Sequence, residues 1–306
     1  MNTVKNLLLM VFAAAILISC GKTSYKKTPG GMPYKVFSGK DTQKVYAGSV
    51  IKLHLTQKIK DSTYFTSEGS LPIYIPVNAN TQPYDLSEVW AKLKVGDSMV
   101  ATQMMDTFIK RSPQNIPPNF KNGDRIITYV KILGVFATDS AAKADEEKGK
   151  KDWLAGEIKT VEKYLADKKI TAQKTPSGAF VEIITPGTGN LADTGNYVTV
   201  NYTGVSWSGT KFDSNTDTAF HHVEPYSFEA GVGKMSKGFD EAILFLRKGA
   251  KCKIYVPSLL AYGGQPGTPL IKPYENLMFD IEMVDIKDKA PAPPTGPQMP
   301  TMPQQQ

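Results

Sequence analysis

The chain has 306 residues, 41% of them hydrophobic, with a formal net charge of +7 and an isoelectric point of about 9.1. This length allows two domains and a linker, and the composition is that of a globular protein. A basic balance often indicates nucleic-acid binding, but the lysines are scattered and no basic stripe carries interleaved aromatic residues. Nucleic acid is therefore excluded as a partner, and the charge is interpreted as solvated surface with a minor attraction to anionic membranes.

The N-terminus has the features of an export signal. Lys5 supplies a positive start, and the apolar run from Leu7 to Ile18 is short for a bilayer span but typical of a signal-peptide core. The run ends in Leu17-Ile18-Ser19-Cys20, which resembles the bacterial lipoprotein cleavage box rather than a plain signal peptide. We therefore expect residues 1–19 to be removed and Cys20 to carry acyl chains that anchor the protein. Gly21, with no acidic run after it, favours an outer-membrane anchor facing the periplasm.

Residues 20–44 are predicted to be an exposed tether, and residues 45–137 to be a β-rich module that repeats a later part of the chain. VIKLHLTQ (50–57) and STYF (62–65) match YVTVNYTG (197–204) and GTKF (209–212) at one offset of 147 residues. A helical pattern matches at an offset of 153, with Leu86, Val89, Trp90, Leu93 and Gly96 corresponding to Phe239, Ala242, Ile243, Leu246 and Gly249. Internal duplication explains both matches.

An amphipathic helix is predicted in the segment 138–172. Leu154, Ile158, Val161 and Leu165 form one apolar stripe. We interpret this helix as a connector that packs on one of the domains. A dimerisation helix is the alternative, although the stripe covers barely two heptads and is short for a coiled coil.

The segment 197–214 predicts a β-hairpin. Val198, Val200 and Tyr202 alternate with Thr199, Asn201 and Thr203, which is the period of a half-buried strand. Ser208-Gly209 is a turn signal, and the second strand ends with Asp213 directly after Phe212. Taken alone, this is an ordinary hairpin whose aromatic residues belong to a core.

A helix is predicted from Gly238 to Lys248, because Phe239, Ala242, Ile243 and Leu246 form one apolar stripe. Its acidic first turn and basic last turn suit the helix dipole, and Gly249 is the predicted stop. The tail, residues 289–306, is rich in Pro and Gln and is predicted to be disordered or partly polyproline II. We interpret the tail as a spacer, with a ligand for another protein as the alternative.

No metal site is predicted, because His221 and His222 are adjacent and would diverge in a strand, and His54 is distant in sequence. Cys252 is interpreted as a small buried residue without redox chemistry.

Five blocks between residues 175 and 287 occur in an order that closely resembles the FKBP-type peptidyl-prolyl cis-trans isomerases. They are YVTVNYTGVSWSGTKFDS (197–214), PYSFEAG (225–231), KGFDEAILFLRKGAK (237–251), IYVPSLLAYGG (254–264) and NLMFDIEMVDI (276–286). The resemblance implies an α+β fold, a curved antiparallel half-barrel wrapped on one short helix, for residues 173–288. It makes residues 45–137 a degenerate copy, because Leu55 and Thr66 replace the family tyrosine and aspartate, and Thr128 stands near the position of the closing-strand phenylalanine.

The resemblance also implies a groove between helix and sheet. Tyr262 would donate its hydroxyl to a substrate carbonyl, and Asp213, a candidate hydrogen-bond partner of Tyr202, would be the polar group nearest the twisting amide. These three are the expected catalytic residues, and the expected substrate-binding residues are Phe212, Tyr226, Phe228, Met235, Ser236, Phe239, Leu270, Ile271 and Phe279. Phe239 stands where the family most often has Trp, and Ser236 where it has a branched apolar residue. The loop 215–224 is longer than in the minimal family domain and is a candidate cover for the groove.

The resemblance therefore predicts a prolyl isomerase that assists the folding of exported proteins in the bacterial envelope. Its expected partners are proline-containing polypeptides, with macrolide-type inhibitors as candidate ligands, and it needs no cofactor. The alternative is a chaperone or assembly factor that binds proline-containing segments without fast turnover. An accessory role in envelope assembly or motility is compatible with either.

Overall fold

A computed structural model describes residues 24–111, 113–116, 120–265 and 268–290 of the chain. The predicted signal segment 1–19, the lipidation site Cys20 and the tail from residue 291 onward lie outside the described residues. The chain divides into two compact units, one up to Glu147 and one from Lys148 onward. Among the described residues, no helix is both long and apolar enough to cross a membrane.

A seven-stranded antiparallel sheet forms the first unit. Its strands are β1 (Lys26–Lys27), β2 (Pro33–Phe37), β3 (Val50–Ile59), β4 (Ser62–Thr66), β5 (Ile73–Pro76), β6 (Ser98–Met104) and β7 (Arg125–Phe136). They lie in the order β1-β2-β6-β7-β3-β4, and β5 also pairs with β3. Two short helices, α1 (Ser87–Trp90) and α2 (Met105–Arg111), and a 3-10 turn (Pro113–Asn115) complete the unit. Ile51 and Leu53 of the sheet and Val89 and Trp90 of α1 share one core.

The prediction of an exposed tether over residues 20–44 is wrong for residues 26–37. This stretch contains β1 and β2, and β2 pairs with β6 so that Tyr34 lies opposite Ala101. Met32 and Tyr34 are buried. The apolar positions are few, and Pro29, Gly30, Gly31 and Pro33 interrupt any alternation. Long-range pairing with the sheet, which a local pattern does not reveal, therefore decides this segment.

A second seven-stranded antiparallel sheet forms the other unit. Its strands are β8 (Gln173–Lys174), β9 (Phe180–Thr185), β11 (Tyr197–Ser206), β12 (Lys211–Ser214), β13 (Tyr226–Glu229), β15 (Lys251–Val256) and β16 (Leu277–Lys287). A two-stranded ribbon of β10 (Thr188–Leu191) and β14 (Arg247–Lys248), the helix α4 (Lys237–Ile243) and two 3-10 turns (Thr218–Phe220 and Ser258–Leu260) complete the unit.

The alternation predicted for β11 is confirmed. Val198 and Val200 are fully buried, whereas Thr199 and Asn201 face the other side and remain partly accessible. β11 pairs with β16 on one edge and with β12 and β13 on the other, so it is a central strand. Its apolar face must therefore point into the core, which is the physical basis of the period of two.

The predicted helix over 238–248 is correct at its start and wrong at its end. α4 ends at Ile243, and Phe239, Ala242 and Ile243 are buried on the predicted stripe. Leu246 is also buried, but it follows the helix in a tight turn, after which Arg247 and Lys248 form β14. No helix breaker stands between residues 244 and 248, so the pairing of β14 with β10 overrides the local helical preference.

The two sheets have the same connectivity. The second sheet follows the order β8-β9-β15-β16-β11-β12, with β13 paired to β11. Each of these strands has the same position as its counterpart in the order β1-β2-β6-β7-β3-β4 of the first sheet, where β5 pairs with β3. The registers agree as well. In the first sheet Gln57 lies opposite Thr128, and in the second Gly204 lies opposite Phe279. Gln57 and Gly204 are 147 residues apart, which is the offset that the sequence predicts.

A long helix, α3 (Asp139–Lys168), contains the boundary between the two units. Val161 and Leu165 of its predicted stripe are buried in a small cluster with Phe180 and Tyr255 of the second unit. Leu154 packs against the main core of that unit. The stripe therefore packs on the second unit.

Candidate active site

Tyr202 and Asp213 lie on adjacent strands, β11 and β12, and the structure brings them into contact. The Tyr202 hydroxyl donates to Asp213 Oδ2 at 2.7 Å. The backbone N–H of Ser214 donates to the other carboxylate oxygen, Oδ1, at 2.9 Å. Burial, and then the Asp213 carboxylate, raise the pKa of the Tyr202 phenol well above its ordinary value. The phenol therefore stays protonated and holds the carboxylate in place.

Four phenylalanines, Phe212, Phe228, Phe239 and Phe279, form a buried cluster that we call the aromatic floor. Phe239, at the start of α4, lies with its ring centroid 5.2 Å from that of Phe279 and 6.1 Å from that of Phe228. Phe212 contacts Phe279 edge-on at 5.6 Å. Such edge-to-face packing is favourable beyond the area that it buries. The predicted substrate-binding phenylalanines thus lie together in one buried apolar cluster.

Three predicted site residues, Tyr226, Tyr262 and Leu270, are exposed, and we call them the rim. Tyr226 is 45% exposed and stacks on Phe228, with the ring centroids 5.6 Å apart. Tyr262 is 44% and Leu270 is 48% exposed. Partial burial, and then the negative charge of Asp213, raise the pKa of the Tyr262 phenol. Tyr262 therefore remains a hydrogen-bond donor within electrostatic reach of Asp213.

The other predicted substrate-binding residues are less accessible. Ile271 is 3% exposed and belongs to the same core cluster as Phe239 and Phe279 of the aromatic floor. Met235 is partly buried and packs against the same core. Ser236 precedes α4, where its carbonyl accepts from the Asp240 N–H at 2.9 Å and its side chain makes no capping bond.

The sequence did not predict that His222 contacts the candidate catalytic carboxylate. Its Nε2 lies 2.8 Å from Asp213 Oδ1. Its ring centroid lies 6.5 Å from that of Tyr202. His222 belongs to the segment of residues 215–224, which we call the His loop. The length of this loop signalled a candidate cover for the groove, but nothing in the sequence singled out one of its two histidines.

Glu157 of α3 anchors the segment that leads to Tyr262, a contact that the sequence also did not predict. The carboxylate is 9% exposed and accepts hydrogen bonds from the Ser258 hydroxyl and, at 3.2 Å, from the Leu259 N–H. It also accepts from Trp153 Nε1 at 2.9 Å. The helix therefore fixes the chain three residues before Tyr262.

Among the described residues, no group of three or more His, Cys, Asp or Glu side chains is arranged to hold a metal ion. Cys252 is buried, and burial, together with the nearby charges of Asp280 and Glu182, raises the pKa of its thiol to about 12. The thiol is therefore protonated and inert at neutral pH.

Comparison with known proteins gives the family. The family model of the FKBP-type peptidyl-prolyl cis-trans isomerases matches residues 189–284. The FK506-binding protein of Neisseria meningitidis serogroup B is 35% identical over 109 residues, which are 36% of this chain and 96% of that relative. The chain belongs to the FKBP-type peptidyl-prolyl cis-trans isomerase family. The predicted family and the predicted enzyme class are thereby confirmed.

Other relatives match over different shares of their length. FK506-binding protein 4 of Mycosarcoma maydis is 35% identical over 161 residues, 49% of this chain but only 41% of that protein. Among solved structures, a peptidyl-prolyl cis-trans isomerase of Pseudomonas syringae pv. tomato is 27% identical, with a TM-score of 0.36. That match covers 44% of this chain and 96% of the solved one.

Proposed function

We propose that the second unit is the catalytic part of a lipid-anchored prolyl isomerase that assists the folding of exported proteins in a bacterial envelope. The observation that carries the proposal is the Tyr202–Asp213 hydrogen bond beside a rim of exposed tyrosines and an aromatic floor. A pair of polar groups on the edge of an apolar surface is typical of small binding sites.

The reaction requires little chemistry from the protein. Rotation about a peptide bond has a barrier of roughly 18–20 kcal/mol because resonance must be broken. Cis and trans X-Pro bonds have similar energies, so only the barrier needs to be lowered. Rotation makes and breaks no covalent bond, and the twisted amide is less dipolar than the planar one. A surface that removes water from the carbonyl therefore favours the twisted state over the planar state.

The site residues divide this task. The aromatic floor and Tyr226 offer an apolar surface for the proline ring. The Tyr262 hydroxyl donates to a backbone carbonyl of the client, and the raised pKa of its phenol keeps it a donor. Asp213, held by Tyr202, places a fixed carboxylate beside the twisting amide. No proton transfer is assigned to it.

Isomerisation of a short X-Pro peptide by residues 21–306 tests these roles. We expect Asp213→Ala and Tyr262→Phe each to lower kcat/KM by about tenfold, which corresponds to about 1.4 kcal/mol. Tyr64→Phe is the matched control, because Tyr64 is an exposed tyrosine of the first unit. Variants that are folded by circular dichroism and as active as this control would remove both residues from the mechanism.

We propose that the first unit is a degenerate FKBP-like domain without the catalytic site. Support comes from the shared strand order and register of the two sheets. Leu55 stands in β3 at the position of Tyr202 in β11, and Thr128 stands in β7 at the position of Phe279 in β16. Phe65, the counterpart of Phe212, is 42% exposed. The unit thus resembles the second in framework and lacks its buried aromatic floor.

The exposed aromatic residues of the first unit favour a second candidate function, a chaperone that holds unfolded clients. Tyr64, Phe65 and Tyr129 are all exposed, and each is at least 42% accessible. If holding matters, the full chain with Asp213→Ala loses isomerase activity but still suppresses the aggregation of a denatured protein. Equal loss of both activities in this folded variant would assign client binding to the second unit alone.

The lipid anchor and the envelope location rest on the Leu17–Cys20 box of the sequence. Metabolic labelling with a radioactive fatty acid in a bacterial host tests the anchor. We expect label in the wild-type chain and none in Cys20→Ser. Label in both chains would exclude Cys20 as the acylated residue. The folding role predicts faster refolding of an exported protein whose refolding is limited by proline isomerisation.

A further inference from the structure

The His loop is built to hold His222 against Asp213. Asn215, at the start of the loop, is buried and donates from Nδ2 to the carbonyls of Val200 and Glu224, both at 3.0 Å. Its Oδ1 accepts from the Tyr202 N–H at 2.7 Å. One buried side chain therefore ties both ends of the loop to β11, next to the tyrosine that holds Asp213.

The backbone just before His222 is also specialised. His221 has a φ of 60°, in the left-handed region that non-glycine residues adopt rarely. Such positions persist where the surroundings fix them, and they are concentrated at functional sites. The turn exposes the His221 side chain and directs the next residue, His222, towards Asp213 Oδ1.

The Asp213 carboxylate thus has three donors or donor candidates. Oδ2 accepts from the Tyr202 hydroxyl, and Oδ1 accepts from the Ser214 N–H and lies 2.8 Å from His222 Nε2. An imidazole can donate from Nε2 whether it is neutral or charged, so the contact is compatible with both states. What changes with protonation is the charge beside the carboxylate.

We propose that His222 is a positioning residue for isomerisation, and that its protonation lowers activity by compensating the charge of Asp213. The inference rests on the role proposed above for Asp213. Histidine changes its charge between about pH 5 and 8. The other titratable or charged groups near this contact are Tyr202, Tyr226 and Tyr262 of the sheet and rim, and His221, Glu224 and the Lys211–Asp217 pair at the loop.

When it carries a proton, the imidazole next to Asp213 forms an ion pair that is neutral as a whole. The negative field that Asp213 directs at the twisting amide is then reduced, as it would be in an Asp213→Asn variant. Without that proton, the carboxylate keeps its orientation and its charge is not compensated. We therefore expect activity to rise with pH, although every residue of the site remains in place.

The test is the pH profile of kcat and KM for a neutral X-Pro peptide with residues 21–306. We expect wild-type kcat/KM to rise about threefold or more between about pH 5.5 and 8, and we expect this rise to come from kcat rather than from KM. His222→Gln retains a donor that does not titrate, and its profile should be flat. His221→Gln is the matched control in the same loop and should keep the wild-type rise. Circular dichroism at each pH excludes unfolding as the cause.

Several results would overturn the inference. A flat or falling wild-type profile would do so, as would a wild-type rise that persists in His222→Gln. A change confined to KM would make the His loop a cover for the groove rather than a device that acts on the amide. Asp213→Asn separates this failure from failure of the proposed function. If that variant is as active as wild type, the role of Asp213 is wrong. If it is inactive while His222→Gln keeps the rise, only the inference about His222 fails.

Discussion

Glu157→Ala is expected to weaken the second unit and its active site together. Glu157 lies on α3, outside the sheet, yet its carboxylate accepts hydrogen bonds from Ser258, Leu259 and Trp153. The Leu259 N–H precedes Tyr262 by three residues. Removing the carboxylate therefore releases the start of the segment that carries this tyrosine.

The expected loss of unfolding free energy follows from the burial of the Glu157 carboxylate and its hydrogen-bond donors. A hydrogen bond to a charged group contributes about 1.5–3 kcal/mol, and a buried donor left without a partner costs about 1–3 kcal/mol. The Ser258 hydroxyl can rotate to another acceptor, whereas the Leu259 N–H is fixed by the backbone. We therefore expect Glu157→Ala to lower the free energy of unfolding by about 3 kcal/mol. Glu157→Gln keeps one amide oxygen as an acceptor and should cost about 1–2 kcal/mol.

Urea unfolding followed by tryptophan fluorescence measures this effect, because Trp153 and Trp207 report on the second unit. Glu162→Ala is the matched control on the same helix. Glu162 forms an exposed ion pair with Lys174 at 2.9 Å, so its loss should cost less than about 1 kcal/mol. We also expect Glu157→Ala, but not the control, to lower kcat/KM. Equal stability of the two alanine variants would refute the anchoring role of Glu157.

Three further predictions concern the same unit. Gly204→Ala would place a methyl group 2.5 Å from Phe212 Cζ, so the ring must move. We expect urea unfolding to show a loss of about 1–3 kcal/mol in the free energy of unfolding. An unchanged unfolding midpoint would contradict this contact. Burial opposes ionisation of Glu241, but hydrogen bonds from Ser177 and Thr175 and the charge of Lys237 outweigh it and hold the pKa of the carboxyl below its ordinary value. The ionised Glu241 carboxylate therefore stabilises the fold above about pH 4.3, and this stabilisation is lost as the pH falls through the lower folded-state pKa. The difference in unfolding free energy between wild type and Glu241→Gln should shrink from about pH 5 to 3. A constant difference would contradict the stabilising role of this carboxylate. In residues 21–306, the Cys252 thiol, whose pKa is raised to about 12 chiefly by burial, should not react with a thiol reagent at about pH 8 until urea unfolds the unit; rapid reaction of the native protein would show that the site opens.

The sequence predicted the features of the second unit that depend on local periodicity. The alternation of Val198 and Val200 gave the buried face of β11, and the stripe of Phe239, Ala242 and Ile243 gave the buried face of α4. The end of α4 was missed because it depends on β14 pairing with β10, a contact between segments about 60 residues apart. The same limit explains β2, whose pairing with β6 is not visible in a short apolar pattern.

The sequence predicted the site residues that belong to the family motif. It did not predict the residues whose contacts with the site depend on how a loop or a helix packs. The family motif placed Tyr202 next to Asp213, and the structure joins them by a hydrogen bond. The contacts of His222 and Glu157 depend on how a loop and a helix pack on the sheet. Neither residue lies in an apolar period, so a sequence pattern gives no sign of either contact.

The most direct test of the account is to locate a bound X-Pro peptide by nuclear magnetic resonance. Isotope-labelled residues 21–306 would be titrated with an unlabelled peptide, and exchange between its cis and trans forms would be followed in the same samples. We predict chemical-shift changes around Asp213, Phe239 and Tyr262 together with accelerated exchange. Changes confined to the first unit around Phe65, or accelerated exchange without changes at the groove, would contradict the assignment of catalysis to the second unit.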